Sequence, residues 1–176
     1  MNQMDQMNQR AQVIQVLQEL EIPYEIHEHP PVPTVEDALP YWSRIEATHC
    51  KNLFFRNHKG NRHYLVILKH EYHLNIRDLE QRLKQGKISF ASPERMERYL
   101  GLSGGSVSVF GLINDHQNHV HLFLDKELQS AQKISFHPNE NTATLVLSFE
   151  SFLRFLDWTG NSYEFITLYE PGSTGI

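Results

Sequence analysis

Two apolar runs joined by a short polar turn constrain this chain most. Leu53-Phe54-Phe55 and Tyr64-Leu65-Val66-Ile67-Leu68 are bulky, β-branched or aromatic, and Asn57-His58-Lys59-Gly60-Asn61 lies between them. The pattern predicts a hairpin of Lys51–Arg56 against Arg62–Lys69. A strand anchored by three large apolar residues fixes whatever stands at its entrance, here Lys51 and Asn52. A lysine held that way can grip a phosphate, a hydroxyl or an ester carbonyl. Taken alone, the hexamer fits an ordinary solvated strand-end lysine better, since most lysines are surface residues.

The remaining pattern is mixed. Residues 9–20 read as an amphipathic helix with Val13, Val16, Leu17 and Leu20 inward, and the Asn/Gln-rich stretch before them as a frayed lead-in. Tyr24–His27 alternates as a short strand, and His29-Pro30-Pro31-Val32-Pro33 is a stiff extended connection. Thr34 starts a helix, paired with Asp37 in a capping-box-like arrangement, and residues 41–50 form an irregular approach to the Lys51 strand. Asn75 caps a helix closed by Gly86. Lys87–Ala91 is a strand and Ser92-Pro93 a helix start. Strands follow at Val120–Leu124, Lys133–His137 and Thr142–Leu147, then a helix capped by Ser148, a strand over Tyr163–Tyr169 and a loose tail over 170–176. Four or five helices and seven or eight strands without regular βα alternation predict a single α+β domain, a curved mixed sheet with flanking helices.

The chain has 176 residues, enough for one domain with a proper core. No apolar run approaches the roughly 20 residues that cross a bilayer, and the first residues lack the apolar stretch of a signal peptide. A single cysteine, Cys50, excludes an internal disulfide and fits a reducing cytoplasm. The net charge of −5 argues against nucleic acid, but its distribution does not. Residues 1–50 carry two basic and eight acidic side chains, residues 51–98 eleven and five, and residues 99–176 three and eight. That asymmetry predicts either a basic face on an acidic body or basic side chains scattered around the fold.

The chemistry-bearing candidates are few. Eleven histidines invite a metal, but the pairs His27/His29, His119/His121 and His70/His73 form no H-E-x-x-H and have no cysteine cluster, and Asp115-His116 falls in a turn. No metal or other cofactor is expected, and the histidines read as surface residues. No G-x-S-x-G elbow exists. Cys50 follows His49, but neighbours on an extended chain point to opposite sides and do not pair as nucleophile and base. Gly104-Gly105-Ser106 can turn backbone N–H groups toward a ligand oxygen, or can be a plain turn. His137 stands where a strand stops at Pro138, as a site residue or as a strand-closing hydrogen-bond partner.

Taken together and in order, these pieces resemble a known family. Lys51-Asn52-Leu53-Phe54-Phe55-Arg56, Ser89-Phe90-Ala91-Ser92-Pro93-Glu94, the run Gly105 to Asp115, and Phe136-His137-Pro138 with Asn141-Thr142-Ala143-Thr144 are similar to the YbaK/ProX (PrdX) family of aminoacyl-tRNA deacylases, over roughly residues 8–169. These enzymes are related to the editing domain inserted in bacterial prolyl-tRNA synthetases. The resemblance implies that fold over residues 1–169 and a freestanding hydrolase, nearest the branch that removes alanine from proline tRNA. Lys51 matches the family's key lysine, which engages the terminal nucleotide and the ester. Asn52 matches its neighbouring asparagine, Gly105 heads the loop that holds the aminoacyl group, and His137 matches the histidine lining the pocket. Lys51, Gly105 and His137 are thereby the expected catalytic residues, and Asn52, Ser106, Phe110 and Gly111 the expected substrate-binding ones. Val109 stands where the family usually has proline, which predicts a less rigid loop.

The implied partner is the acceptor end of an aminoacylated tRNA, met by the basic 51–98 segment. Prolyl-tRNA synthetase as a protein partner stays open, as does a monomer or homodimer. Two other readings stand beside this one: deacylation of Cys-tRNA within the same family, and a non-catalytic tRNA-binding or synthetase-associated module on the same fold.

Overall fold

A computed structural model describes residues 3–169. The elements are α1 (Gln3–Glu19), β1 (Glu25–Glu28), α2 (Val35–Trp42), β2 (Thr48–Asn57), β3 (His63–Lys69), α3 (Ile76–Leu83), β4 (Ile88–Phe90), α4 (Pro93–Leu100), β5 (Val120–Asp125), β6 (Lys133–Phe136), β7 (Ala143–Ser148), α5 (Phe149–Thr159) and β8 (Tyr163–Ile166). Short 3-10 turns cover Val109–Asn114 and Lys126–Ser130. The expected α+β domain with a mixed sheet and flanking helices is what forms. Among the described residues no helix is long and apolar enough to cross a membrane.

The predicted hairpin is the centre of the sheet, whose strand order is β1-β7-β6-β2-β3-β5-β8. β2 and β3 pair antiparallel from Cys50↔Lys69 to Arg56↔His63. The other edge of β2 is shared. Its first residues, Thr48 and His49, run parallel to Ile134 and Ser135 of β6, while its last, Phe55 to Asn57, pair antiparallel with β4. Between these two neighbours no strand of the described residues covers that edge of β2, and the sheet opens there into a slot.

Alternation along β2 sends side chains to two different cores. Cys50 and Phe54 join Val13, Leu17, Leu100, Phe110, Phe152 and Phe155 beneath α1, α4 and α5. Leu53 and Phe55 face the other way, toward Leu79 and Leu83 of α3. A third cluster seats α2 on β7 through Ala38, Trp42, Ile45 and Val146. Thr34 caps α2 as predicted. Its Oγ1 accepts from the Asp37 N–H at 3.2 Å and donates to Asp37 Oδ2 at 2.7 Å.

Several boundaries differ from expectation. The first helix begins at Gln3, inside the stretch expected to be frayed. β2 begins at Thr48, because pairing with β6 orders residues that periodicity alone leaves irregular. Lys84, not Gly86, closes α3 in the left-handed conformation. β8 stops at Ile166, where its pairing with β5 ends. The tail expected over 170–176 lies outside the described residues.

Candidate functional site

The slot in the sheet is a cleft of about 290 Å³. Its floor is the open stretch of β2, Cys50 to Phe54, and its walls include Pro33, Gly105, Phe90 and His137. A larger cleft of about 610 Å³ lies between α1 and α4, but Glu94 and Glu97 line it and no basic side chain does. A pocket of that sign repels a phosphate-bearing ligand, so the smaller cleft is the better candidate despite its size.

Lys51 stands on the cleft half-buried. Among the described residues its ammonium has no hydrogen bond or ion pair. Burial therefore pulls its pKa below the usual lysine range, and the Glu36 carboxylate in the first turn of α2 offsets only part of that. An uncommitted cation in a partly dry cleft is attracted to any oxyanion that enters. Beside it, Asn52 Oδ1 is buried with no hydrogen-bond partner among the described residues. A buried polar atom without a partner is uncommon in a folded protein, and in a cleft it marks a place to receive a ligand donor.

His137 approaches from the end of β6. Its Nδ1 lies 2.9 Å from the carbonyl oxygen of Ala143. A carbonyl only accepts, so Nδ1 carries the proton and, in the neutral ring, Nε2 presents a lone pair. Burial, together with the nearby His29 and His49, holds the His137 pKa below its ordinary value, and the Ala143 carbonyl opposes this in part. The neutral ring is the working form near pH 7.

Three histidines, two of them (His29 and His49) beside this ring, are not the surface residues expected from sequence. His29, His49 and His63 are all buried. The Trp42 indole stacks on His49 with centroids 4.9 Å apart and lies 6.2 Å from the His137 ring, while His29 stacks on Tyr41 at 5.2 Å. Each ring is oriented by hydrogen bonds. His49 Nε2 donates to the Ile45 carbonyl at 2.9 Å, leaving Nδ1 to accept from Ser135 Oγ at 2.6 Å. Trp42 Nε1 donates to Thr144 Oγ1 at 3.2 Å, whose proton is then free for His29 Nε2 at 2.9 Å. This packed aromatic wall behind His137 was missed from sequence. The signal available was Trp42, a large aromatic at the end of a helix ahead of a histidine-bearing strand.

Gly105 forms the opposite lip. Its φ of +83° is a left-handed backbone that other residues rarely adopt, and a Cβ there would meet the Pro33 carbonyl oxygen at 3.5 Å. The two loops that carry Pro33 and Gly105 thus face each other across the mouth. The structure gathers Lys51, Asn52, Gly105 and His137 at one cleft.

It does not bring the other three expected binding residues there. Ser106 is buried beside the loop, where its N–H donates to the Ser103 carbonyl. Phe110 is a core residue, edge-on to Phe136 and Phe155. Gly111 packs so tightly that a Cβ would come within 2.8 Å of Leu102 Cδ1 and 3.0 Å of Leu100 Cβ, which explains the glycine without a ligand. Val109 is fully buried at the start of the 3-10 turn, and Ser108 Oγ accepts from the Phe110 N–H at 3.2 Å. Burial and this cap hold the start of the turn in the place where the family usually has proline.

Cys50 is on the cleft floor, but burial pushes its thiol far above the usual range, so it is no thiolate nucleophile. Among the described residues no three His, Cys, Asp or Glu side chains could hold a metal ion together. The cleft therefore offers a cation, a glycine loop at its lip and a neutral histidine, but among the described residues no activated side-chain nucleophile. That equipment suits hydrolysis of an ester reactive enough to need only placement, a positioned water and oxyanion stabilisation.

Comparison with known proteins agrees. Residues 29–155 match the aminoacyl-tRNA editing domain, and the chain belongs to that family of aminoacyl-tRNA deacylases. It is 37% identical over 154 residues to the prolyl-tRNA editing protein ProX of Acetoanaerobium sticklandii, covering 85% of this chain and 92% of that protein. It is 35% identical over 146 residues to the prolyl-tRNA synthetase associated domain-containing protein 1 of Bos taurus, covering 81% and 85%. Its fold superposes on the crystal structure of a candidate trans-editing enzyme for prolyl tRNA synthetase with a TM-score of 0.67 and 19% identity, covering 92% of this chain and 98% of that one.

Proposed function

We propose that the chain is a trans-editing hydrolase that removes alanine from mischarged proline tRNA. The observation that carries this reading is the convergence of Lys51, Gly105 and His137 on one small cleft, formed where β2 changes partner from β6 to β4. Water attacks the ester carbonyl carbon, the C=O π pair moves to the carbonyl oxygen, and collapse breaks the acyl C–O bond and expels the terminal ribose oxygen, which takes up the proton the water gives up. The products are the free amino acid and a tRNA with a free terminal hydroxyl. Lys51 holds the ester end and polarises it. Backbone N–H groups at Gly105 stabilise the oxyanion, and the His137 Nε2 lone pair orients the water.

The need for such an enzyme follows from energetics. A synthetase built for proline rejects the smaller alanine poorly, because small apolar differences are worth only about 1–3 kcal/mol. A second site that admits alanine and excludes proline supplies the rest. Val32, Pro33, Val35 and Trp42 line the cleft as bulky, inflexible walls, which supports exclusion by size. We place the reaction in the cytoplasm, on the acceptor end of tRNA released by its synthetase.

The test is release of labelled amino acid from Ala-tRNA(Pro), Pro-tRNA(Pro) and Cys-tRNA(Pro). Rapid loss of alanine with proline left intact is expected. A preference for cysteine would move the substrate to the related deacylase activity. Hydrolysis of none, with tRNA still bound, would leave a binding module.

A further inference from the structure

Phe90 is the most exposed large apolar side chain of the described residues, at 58% of its surface. Its position is not that of a stray surface residue. It ends β4 and lies directly opposite Phe55 in the β2–β4 pairing, with the two rings stacked at 4.6 Å and 25°. Phe55 is itself fully buried, so the Phe90 ring rests one face on a rigid base and offers the other to solvent. Facing partners in a sheet share a side, and Lys51, Leu53 and Phe55 alternate onto that same side. Phe90 and Lys51 also line the same cleft. Four residue steps along the strand take Lys51 to Phe55, about 13 Å. That is of the order of one nucleoside with its acyl group.

The far end of β2 is cationic on the opposite side of the sheet. Arg56 pairs with Ser89 in the same ladder. Arg56, Arg95 and Arg98 all lie close enough to His63 to help push its pKa down to about 4, although burial is the larger cause. Arg95 Nη1 donates to the Gly60 carbonyl at 2.9 Å and to His63 Nε2 at 3.0 Å, fastening α4 to the hairpin turn. By the same alternation Arg56, Ser89 and His63 point to the opposite side of the sheet, so of the basic corner, the exposed ring and the cleft lysine only the last two share a face along β2.

We propose that Phe90 is a stacking platform for the 3′-terminal nucleobase of the substrate tRNA. This rests on the deacylase reading and extends it. The ring face takes the base, and Lys51, on the same side of the sheet, meets the ester beyond it. Stacking is tolerant of base identity, because every base has a π-face. The platform therefore fixes the depth of insertion of the terminal nucleotide and does not choose among tRNAs.

The test crosses the side chain with the base. Wild type, Phe90→Ala and Phe90→Trp are compared on Ala-tRNA(Pro) with an intact terminal adenosine and with a terminal ribose lacking its base. The magnitude expected for one base–aromatic stack is about 5- to 150-fold. Phe90→Ala should lose that factor in kcat/KM on the intact substrate, chiefly through KM, and Phe90→Trp should retain activity. Removing the base should cost wild type a similar factor and cost Phe90→Ala nothing further. An equal loss for Phe90→Ala on both substrates, or no loss on the intact one, overturns the platform. Binding of the trinucleotide CCA, followed by ring-current shifts of the adenine protons, reads the same contact without turnover. Shifts that vanish in Phe90→Ala support the platform even if wild type hydrolyses nothing, in which case the deacylase reading alone fails. Shifts unchanged in Phe90→Ala overturn it.

Discussion

Replacing Lys51 with methionine separates chemistry from folding at the one group on which the mechanism most depends. Methionine keeps most of the stem that packs along the cleft and deletes only the charge. A lysine about 4 Å from a developing oxyanion interacts with it by about 4 kcal/mol at an effective dielectric near 20. Part of this is already present against the ground-state carbonyl, so about 3–4 kcal/mol is specific to the transition state. That corresponds to a loss of about 10²–10³-fold in kcat, the range seen when one oxyanion donor is removed elsewhere. The folded state carries a cost for burying this ammonium, visible as its lowered pKa, and among the described residues no ion pair offsets it. Lys51→Met should therefore melt no lower than wild type. The assay is single-turnover release of labelled alanine from Ala-tRNA(Pro), with a thermal melt of the same preparation. A kcat within about threefold of wild type would remove Lys51 from the mechanism. A loss of activity matched by a fall in Tm would reduce it to a structural residue.

Three further outcomes follow from the same geometry. Because burial holds the His137 pKa down, its neutral ring persists as the solution is acidified, so the acid limb of kcat/KM should fall below pH 6.5 and His137→Ala should abolish that limb with a drop of about 10–100-fold; an unchanged limb in the variant assigns it to another group. Gly105→Ala forces a side chain into a left-handed backbone at about 1–2 kcal/mol, while its Cβ meets Pro33 only at ordinary contact distance. A modest fall in Tm with a fall in turnover of about tenfold or more is expected, and full turnover would show that the Gly105 backbone is no part of the oxyanion site. His63, pushed down to about 4, leaves the unfolded chain to bind its proton first as pH falls. Its contribution is thus complete above pH 6.5 and lost between 6.5 and 4, roughly 3 kcal/mol in all. Denaturation of His63→Gln should be flatter over that window than wild type, and equal slopes would contradict it.

Local pattern determined much of this protein. The Lys51–Lys69 hairpin, the caps at Thr34, Asn75, Ser92 and Ser148, and the mixed α+β architecture all rest on interactions between near neighbours, which sequence displays directly. Motif order placed Lys51, Asn52, Gly105 and His137 together in expectation, and the fold brings them to one cleft. What the tertiary structure alone decided is where β2 changes partner. That depends on β4 and β6, which are distant from it in sequence, and it turns an unremarkable strand-end lysine into a half-buried one with no ion pair among the described residues. The same holds for the histidines. Nothing local distinguishes His29, His49 and His63 from His116, and only packing against Trp42, Tyr41 and Tyr99 buries the first three. Phe110 and Gly111 show the converse, for a motif match suggested ligand contact while the chain packed both into its core. Spacing along a chain fixes which residues can share a strand face, but burial is settled by what arrives from elsewhere to cover that face.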